Sequence, residues 1–146
     1  MRWRDSPAKG RGIATSSDGG GTFSAVAYDP QLRTPVCQAT IWQSPQNGDI
    51  YYAAPSSELD GFPDLDYGRT HGTVRRSKTG LLGSWQPKRT EVTLPCMHNY
   101  SSHLCDHNAS TVFGYSCLTD VPQKGKGGLL WESVRATVFS TFDLDF

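Results

Sequence analysis

The chain has 146 residues, and its 14 basic and 14 acidic side chains cancel at neutral pH. That balance provides no bulk positive field to draw the protein to nucleic acid or to an anionic membrane. No apolar run approaches the roughly 18–20 residues of a membrane-spanning helix, and the charged opening Met1-Arg2-Trp3-Arg4-Asp5 lacks the apolar core of a signal peptide.

The predicted elements are short strands and turns. Arg11 to Ser16 reads as a strand that runs into Ser17-Asp18-Gly19-Gly20-Gly21, a strong turn signal. Val36 to Trp42 is a strand by composition, and Asp49 to Ala54 is another, stopped by Pro55. Ser56 to Gly68 is an acidic loop with Gly61 and Pro63. Gly72 to Ser77 is a strand leading into the Gly80–Gly83 turn, and Glu91 to Leu94 is a short strand ending at Pro95. Met97 to Ser110 is polar, His-rich and without periodicity. Phe113 to Thr119, Gly128 to Glu132 and Ala136 to Leu144 complete the chain as strands. No longer segment has helical apolar spacing. The expected class is therefore all-β, as a sandwich, barrel or propeller. A propeller blade takes roughly 40–45 residues, so residues 1–146 would supply about three blades, short of the roughly four a closed ring needs. Open strand edges and an apolar flank would then favour aggregation.

Ser16-Ser17-Asp18-Gly19-Gly20-Gly21-Thr22-Phe23 has the makings of a tight hairpin. The glycines, Gly20 among them, allow left-handed backbone. Asp18 can accept turn N–H groups, Ser16 and Thr22 can add hydrogen bonds, and Phe23 can tuck beneath as an apolar anchor. Ser77 to Trp85 repeats the Ser, Gly and aromatic pattern, with Thr79 in place of the Asp and one residue inserted. The first stretch resembles the Asp-box repeat of sialidase β-propellers, a structural motif remote from the chemistry.

Other stretches resemble sialidase segments in order: Arg4-Asp5-Ser6; Tyr28 to Gln38, with its Asp29-Pro30 and Pro35-Val36-Cys37-Gln38; Arg69-Thr70-His71-Gly72-Thr73-Val74-Arg75-Arg76-Ser77; Gly114-Tyr115-Ser116-Cys117-Leu118; and Gly128-Leu129-Leu130-Trp131-Glu132. Arg2 stands where the family has Asn, and Trp131 where it usually has Tyr. The resemblance implies the last three blades of a six-bladed propeller and an exo-α-sialidase that hydrolyses terminal sialic acids of glycoconjugates, needing no cofactor or metal. Arg4 and Arg69 would bind the substrate carboxylate, Gln38 would line the pocket, Tyr115 would be the nucleophile, and Glu132 would hold a further Arg. That Arg, the acid/base Asp and the Glu partner of the Tyr would precede this chain, which alone would be incomplete and inactive.

Those residue types suit that chemistry. Guanidinium groups grip a carboxylate through paired planar hydrogen bonds and stay charged. A neutral phenol approaches a centre already bearing a carboxylate without like-charge repulsion, which is why sialidases depart from the two-carboxylate scheme. The alternative is a non-catalytic propeller piece that binds carbohydrate or protein.

Other residues have plainer readings. Arg11, Arg75 and Arg76 are expected to be structural or exposed, and Asp64 and Asp66 to belong to a solvated loop. Cys37 and Cys117 lie in strand-like runs and read as buried apolar residues. Cys96 and Cys105 can close a small disulfide in an oxidising compartment. Cys96, His98, His103, Cys105, Asp106 and His107 have zinc-ligand types, but their spacing matches no standard site. Asn99-Tyr100-Ser101 and Asn108-Ala109-Ser110 are glycosylation sequons, which fit a secreted or lumenal protein.

Overall fold

Aromatic and β-branched residues fit a pleated surface, and Ile50-Tyr51-Tyr52-Ala53-Ala54 is the run where they are used most fully. In the computed structural model, which describes residues 10–35, 37–56, 69, 71–92, 113–133 and 136–146, this run is an almost fully buried strand. Among the described residues nine strands follow in chain order: β1 (Arg11–Ile13), β2 (Ala27–Asp29), β3 (Thr40–Gln43), β4 (Ile50–Pro55), β5 (Gly72–Ser77), β6 (Trp85–Val92), β7 (Ser116–Asp120), β8 (Lys126–Glu132) and β9 (Thr137–Asp143). Among the described residues there is no helix, hence none long and apolar enough to cross a membrane.

The strands form three antiparallel sheets, ordered β1-β2, β3-β4-β5-β6 and β7-β8-β9. Side chains alternate across a strand, so β4 serves two cores. Tyr51 and Ala53 join Val74, Leu118, Leu129, Trp131 and Phe142, drawing in the third sheet. Tyr52 and Ala54 join Leu32 and Trp85, with Ile13 of the first sheet packed against them. The four-stranded sheet thus lies between the other two. Phe113 stacks on Trp131, ring centroids 5.2 Å apart, and fills the space over Gly72, where a Cβ would come within 2.0 Å of its ring.

Several boundaries differ from expectation. The strand expected at Glu91–Leu94 is instead β6, beginning at Trp85; residues 93 and 94 lie outside the described part. Of the strand expected at 36–42, residue 36 lies outside the described part and pairing begins at Thr40, while the Gln38 side chain bonds to the backbone of Ser116. Pro55 closes β4 within the ladder, opposite Gly72, where a ladder can do without its missing N–H. β7 starts at Ser116 rather than Phe113. β2 is a strand the sequence reading missed.

The turn after β1 has the expected polar wiring. Ser16 Oγ donates to Asp18 Oδ1 at 2.7 Å and accepts from Gly20 N at 2.8 Å. Asp18 also accepts from Thr22 N at 2.9 Å and Thr22 Oγ1 at 2.7 Å. Gly19 and Gly20 take φ of 72° and 96°, which favour glycine. Phe23, however, does not tuck under: it is 65% exposed. The turn projects from a two-stranded sheet of three-residue strands, which offers the ring no wall.

The degenerate copy is wired differently. Ser77 Oγ accepts from Gly80 N at 2.8 Å, and Trp85 is buried against Tyr52. Thr79 has no carboxylate to offer, and Asp29 of β2 reaches across instead: its Oδ2 accepts from Gly83 N at 2.8 Å while Oδ1 accepts from Gln31 N at 2.9 Å.

Candidate functional site

Two loop-to-strand junctions meet at one cleft. Arg69 precedes β5 and Tyr115 immediately precedes β7. The Arg69 carbonyl accepts from Phe113 N at 2.8 Å, which fixes the two segments side by side. The Arg69 guanidinium carbon lies 5.6 Å from the centroid of the Tyr115 ring, within reach of a cation–π attraction. Both side chains are solvent-exposed, and both line a cleft of about 470 Å³ with Arg11, Tyr28, Cys37 and Gln38. That volume suits a small ligand.

Tyr115 is aimed by an irregularity. Gly114 N donates to Glu132 O at 2.7 Å, and Glu132 N donates to Tyr115 O at 2.9 Å. Two residues thus face one, as in a β-bulge, which bends a strand and redirects a side chain. Gly114 leaves room for Glu132: a Cβ at 114 would lie 3.2 Å from Glu132 Cβ and 3.3 Å from its Oε2. Glu132 therefore lies beside Tyr115, and both border a second cleft of about 380 Å³ on the outer face of the third sheet. Gln38 is common to the two clefts. Its amide donates to Ser116 O at 3.0 Å and accepts from Ser116 N at 2.8 Å.

Arg11 is a cleft residue that sequence reasoning did not assign to the site, whereas Cys37 lies in the family-like Tyr28–Gln38 stretch. Arg11 Nε donates to Tyr52 Oη and Nη2 to the Cys37 carbonyl, each at 3.0 Å. The structural role expected of Arg11 is thus real, and it is exercised in the wall of the cleft. The only available signal was position, since Arg11 sits a strand's length from the Asp18 turn. Burial pushes the Cys37 thiol up from its ordinary range, with Arg69 and Arg11 pulling against it. Cys37 is buried, as expected, but Cys117 is exposed. In β7, Ser116 and Leu118 take the inner face, so the alternation turns Cys117 outward.

Arg76 is a structural ion-pair partner, 2.6 Å from Asp49, and Arg75 is buried in β5. Arg4, Asp64, Asp66, the Cys96–His107 cluster and both sequons lie outside the described residues. Among the described residues no group of three or more His, Cys, Asp or Glu side chains is placed to hold a metal ion. No family model and no curated protein matches the chain.

Chemically, the cleft offers a fixed cation beside an accessible phenol. It can recognise an anionic group and present an oxygen nucleophile to the atom next to it.

Proposed function

We propose that this chain is the sialic-acid-binding part of an exo-α-sialidase, its three sheets being successive blades of a β-propeller. The observation that carries the reading is Arg69 seated 5.6 Å over the ring of Tyr115 in a small-ligand cleft. The Asp18 turn and its copy at Ser77–Trp85 support it, since both close between neighbouring strands and in each a glycine N–H donates to the leading Ser Oγ, from four residues on in the first and three in the second.

In this reading Arg69 holds the substrate carboxylate, aided by Arg4. Tyr115 Oη attacks the anomeric carbon, forming a tyrosyl–sugar bond as the glycosidic C–O bond breaks. The leaving oxygen takes a proton from an acid, and the phenol gives its own to a base. Water then attacks the same carbon and frees Tyr115, with net retention. Glu132 holds a further guanidinium near the carboxylate. The acid, the base and that guanidinium belong to the rest of a longer enzyme.

A binding role for the chain by itself is favoured by one observation. Among the described residues that line the Arg69–Tyr115 cleft, none is a carboxylate able to donate the proton. Saturation-transfer NMR on the whole chain tests the reading, using the α-methyl glycoside of N-acetylneuraminic acid against methyl galactoside. We expect transfer to the sialoside alone, sharply reduced in Arg69→Met. Equal transfer to both sugars, or undiminished transfer in the variant, would sink it.

A further inference from the structure

We propose that Gln38 is a positioning residue for Tyr115 and makes no direct hydrogen bond to substrate through its N–H groups. The inference rests on the reading of Tyr115 as the reacting residue. Gln38 Nε2 carries two N–H donors, and both are consumed, by Ser116 O at 3.0 Å and Ala39 O at 2.9 Å. Its Oε1 accepts from Ser116 N at 2.8 Å. The reversed amide would set a donor against the Ser116 N–H, so the orientation is fixed by the network.

The side chain thereby does the work of a neighbouring strand. One edge of β7 pairs with β8, and its other edge faces the segment leading into β3. On that edge Cys37 Sγ donates to Gly114 O at 3.6 Å, Gln38 brackets Ser116, and Thr40 Oγ1 accepts from Leu118 N at 3.4 Å. Three side chains thus satisfy alternate backbone groups of residues 114, 116 and 118. Gln38 makes the only two-way contact of the three, one residue beyond Tyr115. The Glu132 bulge holds Tyr115 from the opposite side. Between them, bulge and amide set the direction in which the phenol leaves the strand.

The test is NMR of the whole chain carrying ring-labelled tyrosine, with the Tyr115 signal assigned by Tyr115→Phe. Gln38→Leu removes all the amide contacts, whereas Gln38→Glu keeps an acceptor for Ser116 N–H and loses the donors. We expect Ser116 amide exchange to rise about tenfold in Gln38→Leu, the loss of a typical hydrogen bond, and less in Gln38→Glu. The Tyr115 ring signal should move toward that of free tyrosine in the same order. Thr40→Ala, which spares Ser116, should leave that signal in place. Affinity for the α-methyl sialoside should fall in step with the Tyr115 shift. An unchanged Tyr115 signal and Ser116 exchange in Gln38→Leu would overturn the proposal. So would a loss of sialoside binding with the Tyr115 signal intact, which would make Gln38 a substrate ligand. If Gln38→Leu loses the Trp131 indole resonance that reports an intact sheet, Gln38→Glu against wild type decides by the same two signals. Absence of sialoside binding by the wild type would refute the sialidase reading and leave the Tyr115 and Ser116 signals to judge the positioning role separately.

Discussion

Asp18 stands in open solvent, yet hydrogen bonds from Ser16 and then from Thr22 hold its carboxyl well below the usual carboxylate range. A free aspartate takes up its proton near pH 3.9, at about its model-peptide value. Because the folded value is depressed, the stability Asp18 contributes is complete above that pH and is lost as the pH falls toward the folded value. The Thr22 amide resonance should therefore stay flat through about pH 4 and move only in stronger acid; a midpoint near the free value would show the wiring to be absent in solution. Arg69 belongs to the same scale. Its hydrogen bonds to a carboxylate would be worth about 1.5–3 kcal/mol, so Arg69→Met should weaken sialoside binding roughly 10–100-fold, as read by an NMR titration. Lysine at 69 should restore part of that, keeping the charge but not the planar fork. The polar wiring of Ser16, Asp18 and Thr22 was legible in the sequence because those partners lie within a few residues of one another. The fate of Phe23 was not, because burial of a ring depends on what the surrounding sheet provides. Trp85 finds Tyr52 beside it, while Phe23 finds solvent.

Strands, more than turns, decide what the cleft can hold. The run Gly72–Ser77 was read with the boundaries the fold uses, since its residues pair along the whole of β4. β2 was missed because its three residues, Ala27–Asp29, carry too little pattern, and their pairing with β1 is set by the chain that joins the two strands. Asp29 lies in a stretch the sequence marked, but its bond to Gly83 spans 54 positions and could not be read locally. Asp29→Ala would strand the Gly83 and Gln31 N–H groups, and it should lower stability by about 2–3 kcal/mol in urea denaturation. A loss under 0.5 kcal/mol, about the size of an ordinary surface change, would mean that water replaces it easily. Gly72→Ala should also destabilise, by about 1–3 kcal/mol, because its methyl would drive Phe113 off Trp131. Tyr115 was picked out by its neighbours Gly114 and Ser116, whereas the bulge that aims it is a matter of pairing with Glu132 across the sheet. Gln38 likewise looked like a pocket wall, and its bond to Ser116 spans 78 positions of chain.

At the scale of the molecule, the all-β class followed from turn spacing and aromatic content, and the three sheets bear it out. The third sheet carries an exposed apolar row. Leu130 and Phe139 are paired across β8 and β9 on the outer face and are about half exposed, with Cys117 beside them. Such a row favours association. Leu130→Lys with Phe139→Lys should lower the weight-average mass seen by sedimentation at high concentration; an unchanged mass would show the face to be inert. The functional proposal turns on the cleft where Arg69 meets Tyr115. Its most direct measurement is an NMR titration of the Arg69 side-chain Nε–H with the α-methyl sialoside and, separately, with its methyl ester. We expect a saturable shift with the acid and almost none with the ester, as a guanidinium that grips the carboxylate requires. Equal shifts with both, or none with either, would contradict it.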